Sequence, residues 1–354
     1  MCLWYPEINI DMKQFPELAH IERLAERYAK HGEVLKIETV SFRGESYPLQ
    51  AFVLGSRDTH APVFGLVGGV HGLEKIGTHV VLSYMEHLLE RLEWDEALKL
   101  QLGRVKLILL PLVNPVGMHR NTRSNGNDVD LMRNSPSRST TGASFLVGGH
   151  RYSRVLPWYM GTEGQMELEA KALCDFVHAQ CEFSPYSVVV DVHSGFGLVD
   201  QLWFPYAKTT EPFPHLTEVI ALKSLLDRVL ANHIYRFEPQ AVHYTTHGDL
   251  WDYVYDQLQI CYLARAESGS CFLPLTLELG SWNWIKKNPF QLYYKGGAFN
   301  PIKDHRRKRA LRRHLPFFDF MLSATAFNAG WMPSTDVERM ELKKKALLAW
   351  YPHL

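Results

Sequence analysis

The chain has 354 residues, 46% hydrophobic and 21% charged, which is ordinary globular composition with enough length to bury a large core. Lys plus Arg and Asp plus Glu both total 38, so no global field draws the chain to nucleic acid or an anionic membrane, although local patches stay open. The opening MCLWYPEINI has no basic segment followed by an apolar stretch and no run of about 18 apolar residues occurs anywhere, so a cytoplasmic location with no membrane span is expected.

In residues 16–31, Leu18, Ile21, Leu24, Ala25 and Tyr28 share one helical face, with Pro16 in the first turn and Gly32 as the stop. Residues 33–40 and 47–54 read as strands around Arg43-Gly44-Glu45, and 63–67 as a short buried strand. After Gly68, Gly69 and Gly72, the set Leu73, Ile76, Val80, Tyr84, Leu88 and Leu92 returns to a helical period. A further buried strand at 105–112 closes at Asn114-Pro115, and the Ser-, Thr- and Gly-rich 135–151 reads as a long loop. Residues 163–181 read helical and 187–191 strand-like, while Trp282 and Trp284 alternate in a strand-like stretch. A basic run at 303–313 and helical patterns at about 311–325 and 336–349 finish the chain. This alternation predicts an α/β fold with a twisted mixed sheet and helices on both faces. The expected division is an N-terminal helical segment (1–32) packed on a main domain (33–300), with a C-terminal helical extension (301–354).

Cys2, Cys174, Cys181, Cys261 and Cys271 are odd in number and scattered, as expected of reduced thiols, so any metal should use His and carboxylates. His71 and Glu74, three residues apart, can converge on one cation where the chain turns into a helix. The same spacing at His215 and Glu218 reads as a helix-surface pair. His71 differs because it follows a buried strand and a Gly-Gly bend, at the carboxyl end of a strand, where open α/β sheets place their sites. Asp191-Val192-His193-Ser194 puts His193 at another strand end, where alone it reads as a satisfied core histidine. Two His and one Glu together leave a fourth position open, as a catalytic zinc requires. In LPLTLELGS, Glu278 shares a strand face with Thr276, opposite Leu277 and Leu279, and can face a cleft as a proton acceptor.

Six segments in order are similar to those of the zinc metallocarboxypeptidases of the carboxypeptidase A kind, over roughly residues 35–285. They are Gly-Gly-Val-His71-Gly-Leu-Glu74, Asn114-Pro-Val-Gly117, the stretch from Arg123 through Asp130 to Met132-Arg133-Asn134, and Tyr159-Met-Gly161 with Glu167-Leu-Glu169. Asp191-Val-His193-Ser194 and Thr276-Leu-Glu278-Leu-Gly280 complete the set. The resemblance implies about eight strands and one Zn2+ per chain held by His71, Glu74 and His193. It further implies Glu278 as general base and acid, Arg123 polarising the scissile carbonyl and Arg133 clamping a substrate carboxylate. Met132 stands where the family usually has Asn, and Asn134 or another donor is expected to compensate. Tyr244, in HYTTHGDLWD, falls where the family has a substrate-capping tyrosine, and Trp251 falls near the floor of the specificity pocket.

The implied activity is hydrolysis of a peptide or amide bond next to a carboxylate-bearing residue, on a small peptide or acylated amino acid, without nucleic-acid or membrane partners. The alternatives are an N-acyl amino acid deacylase of the aspartoacylase or succinylglutamate desuccinylase kind and a non-catalytic zinc-site binding module. Lys303, Arg306, Arg307, Lys308, Arg309, Arg312 and Arg313 read as a solvated helix face.

Overall fold

Arg43 and Gly44, both at positive φ, reverse the chain tightly and fold β1 (Glu33–Phe42) back on β2 (Glu45–Gly55). The computed structural model describes residues 15–266 and 269–353; Cys2 with the rest of 1–14, residues 267 and 268, and Leu354 lie outside them. The remaining strands are β3 (Val63–Gly68), β4 (Lys106–Leu110), β5 (Tyr186–Ser194), β6 (Gln201–Phe204), β7 (Arg236–Pro239) and β8 (Cys271–Leu279). They form one eight-stranded mixed sheet in the order β1-β2-β4-β3-β5-β8-β6-β7. The inner strands β4, β3, β5 and β8 run parallel. Their near-continuous apolar runs are covered on both faces, which is why they lack the alternation of a half-exposed strand. Antiparallel pairing is confined to β1–β2, β2–β4 and β6–β8.

The helices are α1 (Pro16–Tyr28), α2 (Lys75–Leu92), α3 (Glu96–Leu102), α4 (Pro115–Arg120), α5 (Leu168–Cys181), α6 (Leu216–Val229), α7 (Leu250–Ala264), α8 (Trp282–Lys287), α9 (Asp304–Arg313), α10 (Leu315–Ala326) and α11 (Asp336–Trp350). Two groups cover the sheet: α2 and α10 pack on β3 and β5, while α5 and α7 pack on each other and lie against β1 and β8 respectively. The apolar face of α1 is buried as its period predicts, and the Tyr28 hydroxyl donates to the Met85 carbonyl at 2.9 Å. Phe317, Phe318 and Met321 of α10 belong to the same apolar core as the strands. None of the described helices is long and apolar enough to cross a membrane.

Three local expectations are corrected. Trp282 and Trp284 lie in α8 and not in a strand: Gly280 ends β8, its N–H taken by the Asp200 carboxylate at 2.9 Å. The helix expected from residue 163 starts at Leu168, because the Glu167 N–H is taken by the Asn134 side chain at 2.6 Å. Glu218 is buried and bound by Arg339, since α11 packs across α6, so His215 and Glu218 are not a surface pair.

Candidate active site

Three strand ends and one helix start meet at a single point. β3 stops at Gly68, the chain bends through Gly69 at φ +68°, and His71 follows in the turn that leads to Glu74 and α2. β5 ends on His193 and Ser194, and α2 approaches it closely because residue 77 is glycine: a Cβ there would lie 2.3 Å from the Val192 carbonyl oxygen. His71 Nδ1 is 2.9 Å from Glu74 Oε1, His193 Nδ1 is 3.1 Å from Glu74 Oε2, and the two Nδ1 atoms are 3.2 Å apart. All three side chains are buried, at 4%, 2% and 2% exposure for His71, Glu74 and His193.

The outward-facing nitrogens are held by carboxylates. His71 Nε2 lies 3.1 Å from Asp130 Oδ1, and His193 Nε2 lies 2.7 Å from Asp191 Oδ2. With each Nε2–H donating to its carboxylate, both Nδ1 lone pairs point at the same spot as the Glu74 oxygens. The Ser194 N–H donates to Glu74 Oε2 at 2.9 Å and fixes the third group. Burial alone would raise the Glu74 carboxyl, but the His71 and His193 rings hold it far below the usual carboxylate range. Burial alone would lower His193, but Asp191 and then Glu74 raise it well above the ordinary imidazole range.

Beside the triad, Arg123 Nε donates to Asp130 Oδ2 at 2.7 Å and Nη1 to Glu74 Oε1 at 3.3 Å. A cavity of about 750 Å³ opens over these groups, and Thr276 and Glu278 both line it, as their shared strand face predicts. Glu278 is the register partner of His193 across β5 and β8. Its burial, followed by the charge of Glu74, pushes its carboxyl up to about 8.

Arg133 also lines the cavity. Its guanidinium donates to the Val147 and Met132 carbonyls at 3.2 Å each and lies 5.8 Å from the Tyr244 ring centroid. The Met132 side chain faces the same space.

Two expected substrate groups are placed elsewhere. Asn134 does not line the cavity: its amide donates to the Met160 carbonyl at 2.9 Å and its oxygen accepts the Glu167 N–H, so it pins loops together. Trp251 is likewise absent from the lining, and its indole N–H donates to Asp191 Oδ2 at 3.0 Å, behind His193. The wall near Tyr244 is instead built by Phe196, Trp203 and His243, with ring centroids 5.1 Å apart for Phe196–Trp203 and 5.2 Å for Trp203–His243. No period or spacing announces that wall, since its members come from separate strands and loops. Asp191 did carry a signal, being a carboxylate inside an apolar strand two residues before His193 on the same face.

The sequence profile of the zinc carboxypeptidase family matches residues 18–280. The chain belongs to the zinc carboxypeptidase family. Among its relatives, mouse (Mus musculus) carboxypeptidase A4 is 24% identical over 265 residues, covering 71% of this chain and 58% of that protein. Rat (Rattus norvegicus) carboxypeptidase A2 is 27% identical over 208 residues, covering 55% of this chain and 48% of that protein. The alignments thus span only about half of these two relatives' length. Among solved structures, thrombin activatable fibrinolysis inhibitor superposes with a TM-score of 0.65 at 20% identity, covering 87% of this chain and 72% of that one. Carboxypeptidase A from Helicoverpa armigera gives 0.60 at 20% identity, with the same coverage. At that identity these likenesses concern the fold.

The family's metal fits the residues present in this chain. Two imidazole nitrogens and a carboxylate, with ligand atoms within 4.8 Å of one another, converge as three buried side chains at the cavity floor. Such a convergence of nitrogen and oxygen atoms on one spot suits a divalent cation, and two His with one carboxylate suit zinc. Asp130 and Asp191 supply the outer hydrogen bonds that hold the ligating rings in the required tautomer.

Proposed function

We propose that this zinc carboxypeptidase hydrolyses the peptide bond adjoining a free carboxylate, releasing the C-terminal residue of a peptide. The observation that carries this reading is Arg133, 2% exposed on the wall of the same cavity as the triad. Among the described residues no carboxylate lies within ion-pair distance of it. A buried cation held only by neutral acceptors, without a counter-charge, is unfavourable by several kcal/mol in order of magnitude. A substrate carboxylate would be that partner, received by the planar guanidinium fork.

His71, Glu74 and His193 would hold a zinc ion, whose chemistry there would be Lewis-acid polarisation of a carbonyl and a water pKa lowered to about 7. Arg123 presents a guanidinium, oriented by Asp130, to the oxygen that gains negative charge in the transition state. Glu278 accepts a proton from the attacking water and delivers it to the leaving amine, so it must begin ionised. Cationic charge in the triad opposes the repulsion from Glu74 and favours that ionised form. Tyr244, over Arg133, covers the carboxylate end of the substrate. Met132 in place of the family's amide leaves Arg133 as the principal donor there. A mere binding module has no use for Glu278 and Arg123 beside the ligands. Free thiols at Cys174, Cys181, Cys261 and Cys271 support a reducing, cytoplasmic setting.

The test is Glu278→Gln assayed by mass spectrometry on peptides with free or amidated C-termini and on N-acyl amino acids. Zinc content should stay at one per chain while release of the terminal residue falls by roughly 10²- to 10⁴-fold. Full turnover in the variant overturns the base. Cleavage of N-acyl amino acids alone would move the chain to the deacylases.

A further inference from the structure

Residues 303–313 hold seven cations and one acid in a chain that is otherwise balanced. The expectation of a solvated face holds for part of α9: Arg307 and Lys308 both pair with Asp304 at 2.9 Å. Arg306, Arg309 and Arg313 recur at spacings of three and four and so share another face. Arg306 Nη1 donates to the Trp284 carbonyl of α8 at 3.2 Å, and Arg313 Nη1 donates to Asp200 Oδ2 at 3.3 Å. With Lys287 from the end of α8 and His305, they line a cavity of about 200 Å³ that shares no residue with the substrate cavity.

The charge there is not compensated internally. Asp200 is the one carboxylate in the lining, and its other oxygen already accepts the Gly280 N–H. Lys287, His305 and Arg309 have no ion-pair partner among the described residues. Three guanidiniums and an ammonium facing one carboxylate leave an excess of three positive charges over a concave surface, and such repulsion is relieved by a bound anion. A monovalent carboxylate would leave most of that charge, whereas a phosphate offers several oxygens to planar guanidinium forks. The volume admits one or two phosphate groups and not a folded peptide.

We infer that this cavity between α8 and α9 binds a small soluble ligand bearing a polyvalent oxyanion of the phosphate class. Inorganic pyrophosphate is the probe, titrated by calorimetry into the zinc-loaded full chain, a Lys287→Ala/Arg309→Ala double variant, Arg309→Lys and Arg133→Met. Lys287 and Arg309 are exposed, so the fold should survive, which a melting curve checks. Saturable binding is expected, weakened at least about tenfold in the double variant and kept in Arg309→Lys and Arg133→Met. Absence of saturable binding, wild-type affinity in the double variant, or loss in Arg133→Met alone overturns the assignment. The last outcome would place the anion in the substrate cavity instead.

Discussion

Replacing Arg133 by Met removes the proposed carboxylate clamp while keeping an unbranched apolar stem of similar reach. Arg133 is 2% exposed, so its hydrogen bonds to a substrate carboxylate are shielded from water. Two charge-assisted bonds at about 1.5–3 kcal/mol each set a loss of about 3–6 kcal/mol, or roughly 10²- to 10⁴-fold in kcat/KM. The assay is a double comparison: wild type and variant, each on one peptide with a free C-terminus and on its C-terminal amide. The amide cannot pair with Arg133, so its already poor kcat/KM should change by less than about threefold. An equal loss on both peptides would mean that Arg133 supports the cavity and clamps nothing. The Val147 and Met132 carbonyls lose their donor in the variant, but a buried unpaired charge is also removed, so thermal stability should stay close to wild type.

Asp130→Asn removes the ionised acceptor shared by His71 and Arg123, and zinc affinity measured against a competing chelator should fall roughly 10- to 100-fold; unchanged affinity would show that His71 needs no such support. Gly77→Ala places a methyl group against the Val192 carbonyl and should cost about 1–3 kcal/mol in denaturant unfolding, even though Ala favours helix. A more stable variant would disprove the close approach of α2 to β5. Burial holds the His314 imidazole down, from about 6.5 in the unfolded chain to about 4 in the folded one, with Asp200 opposing the shift and Arg313 adding a smaller push in the same direction as burial. Because the folded state resists protonation, stability should fall as pH drops from about 6.5 to 4, by about 3 kcal/mol in all, and should not change through this group above 6.5. Urea midpoints across that range should flatten in His314→Gln, and an unchanged slope would assign the acid sensitivity elsewhere.

Local order in the chain encoded most of the elements. Val188, Val189 and Val190 mark a strand buried on both faces, and Leu73 to Leu92 a helix, because periodicity reports which side of an element is covered. The site was legible for a related reason: His71 and His193 follow or end apolar strands, with Glu74 one turn on and Glu278 inside another, and their combination, not any one of them, pointed to a site. Asn134 and Trp251 were misplaced by the same local reasoning, since adjacency to functional residues does not say which way a side chain turns. Asn134 points back to the Met160 carbonyl, and Trp251 points to Asp191.

Sequence alone determined which side chains were chemically suited to hold a metal and move a proton, because that suitability is a property of residue type and local setting. Sheet order and register decided that they meet: β5 lies between β3 and β8, and His193 falls opposite Glu278. Those pairings join residues more than eighty positions apart, and the burial that perturbs Glu278 and leaves Arg133 without a carboxylate partner exists only once the whole sheet has closed around them.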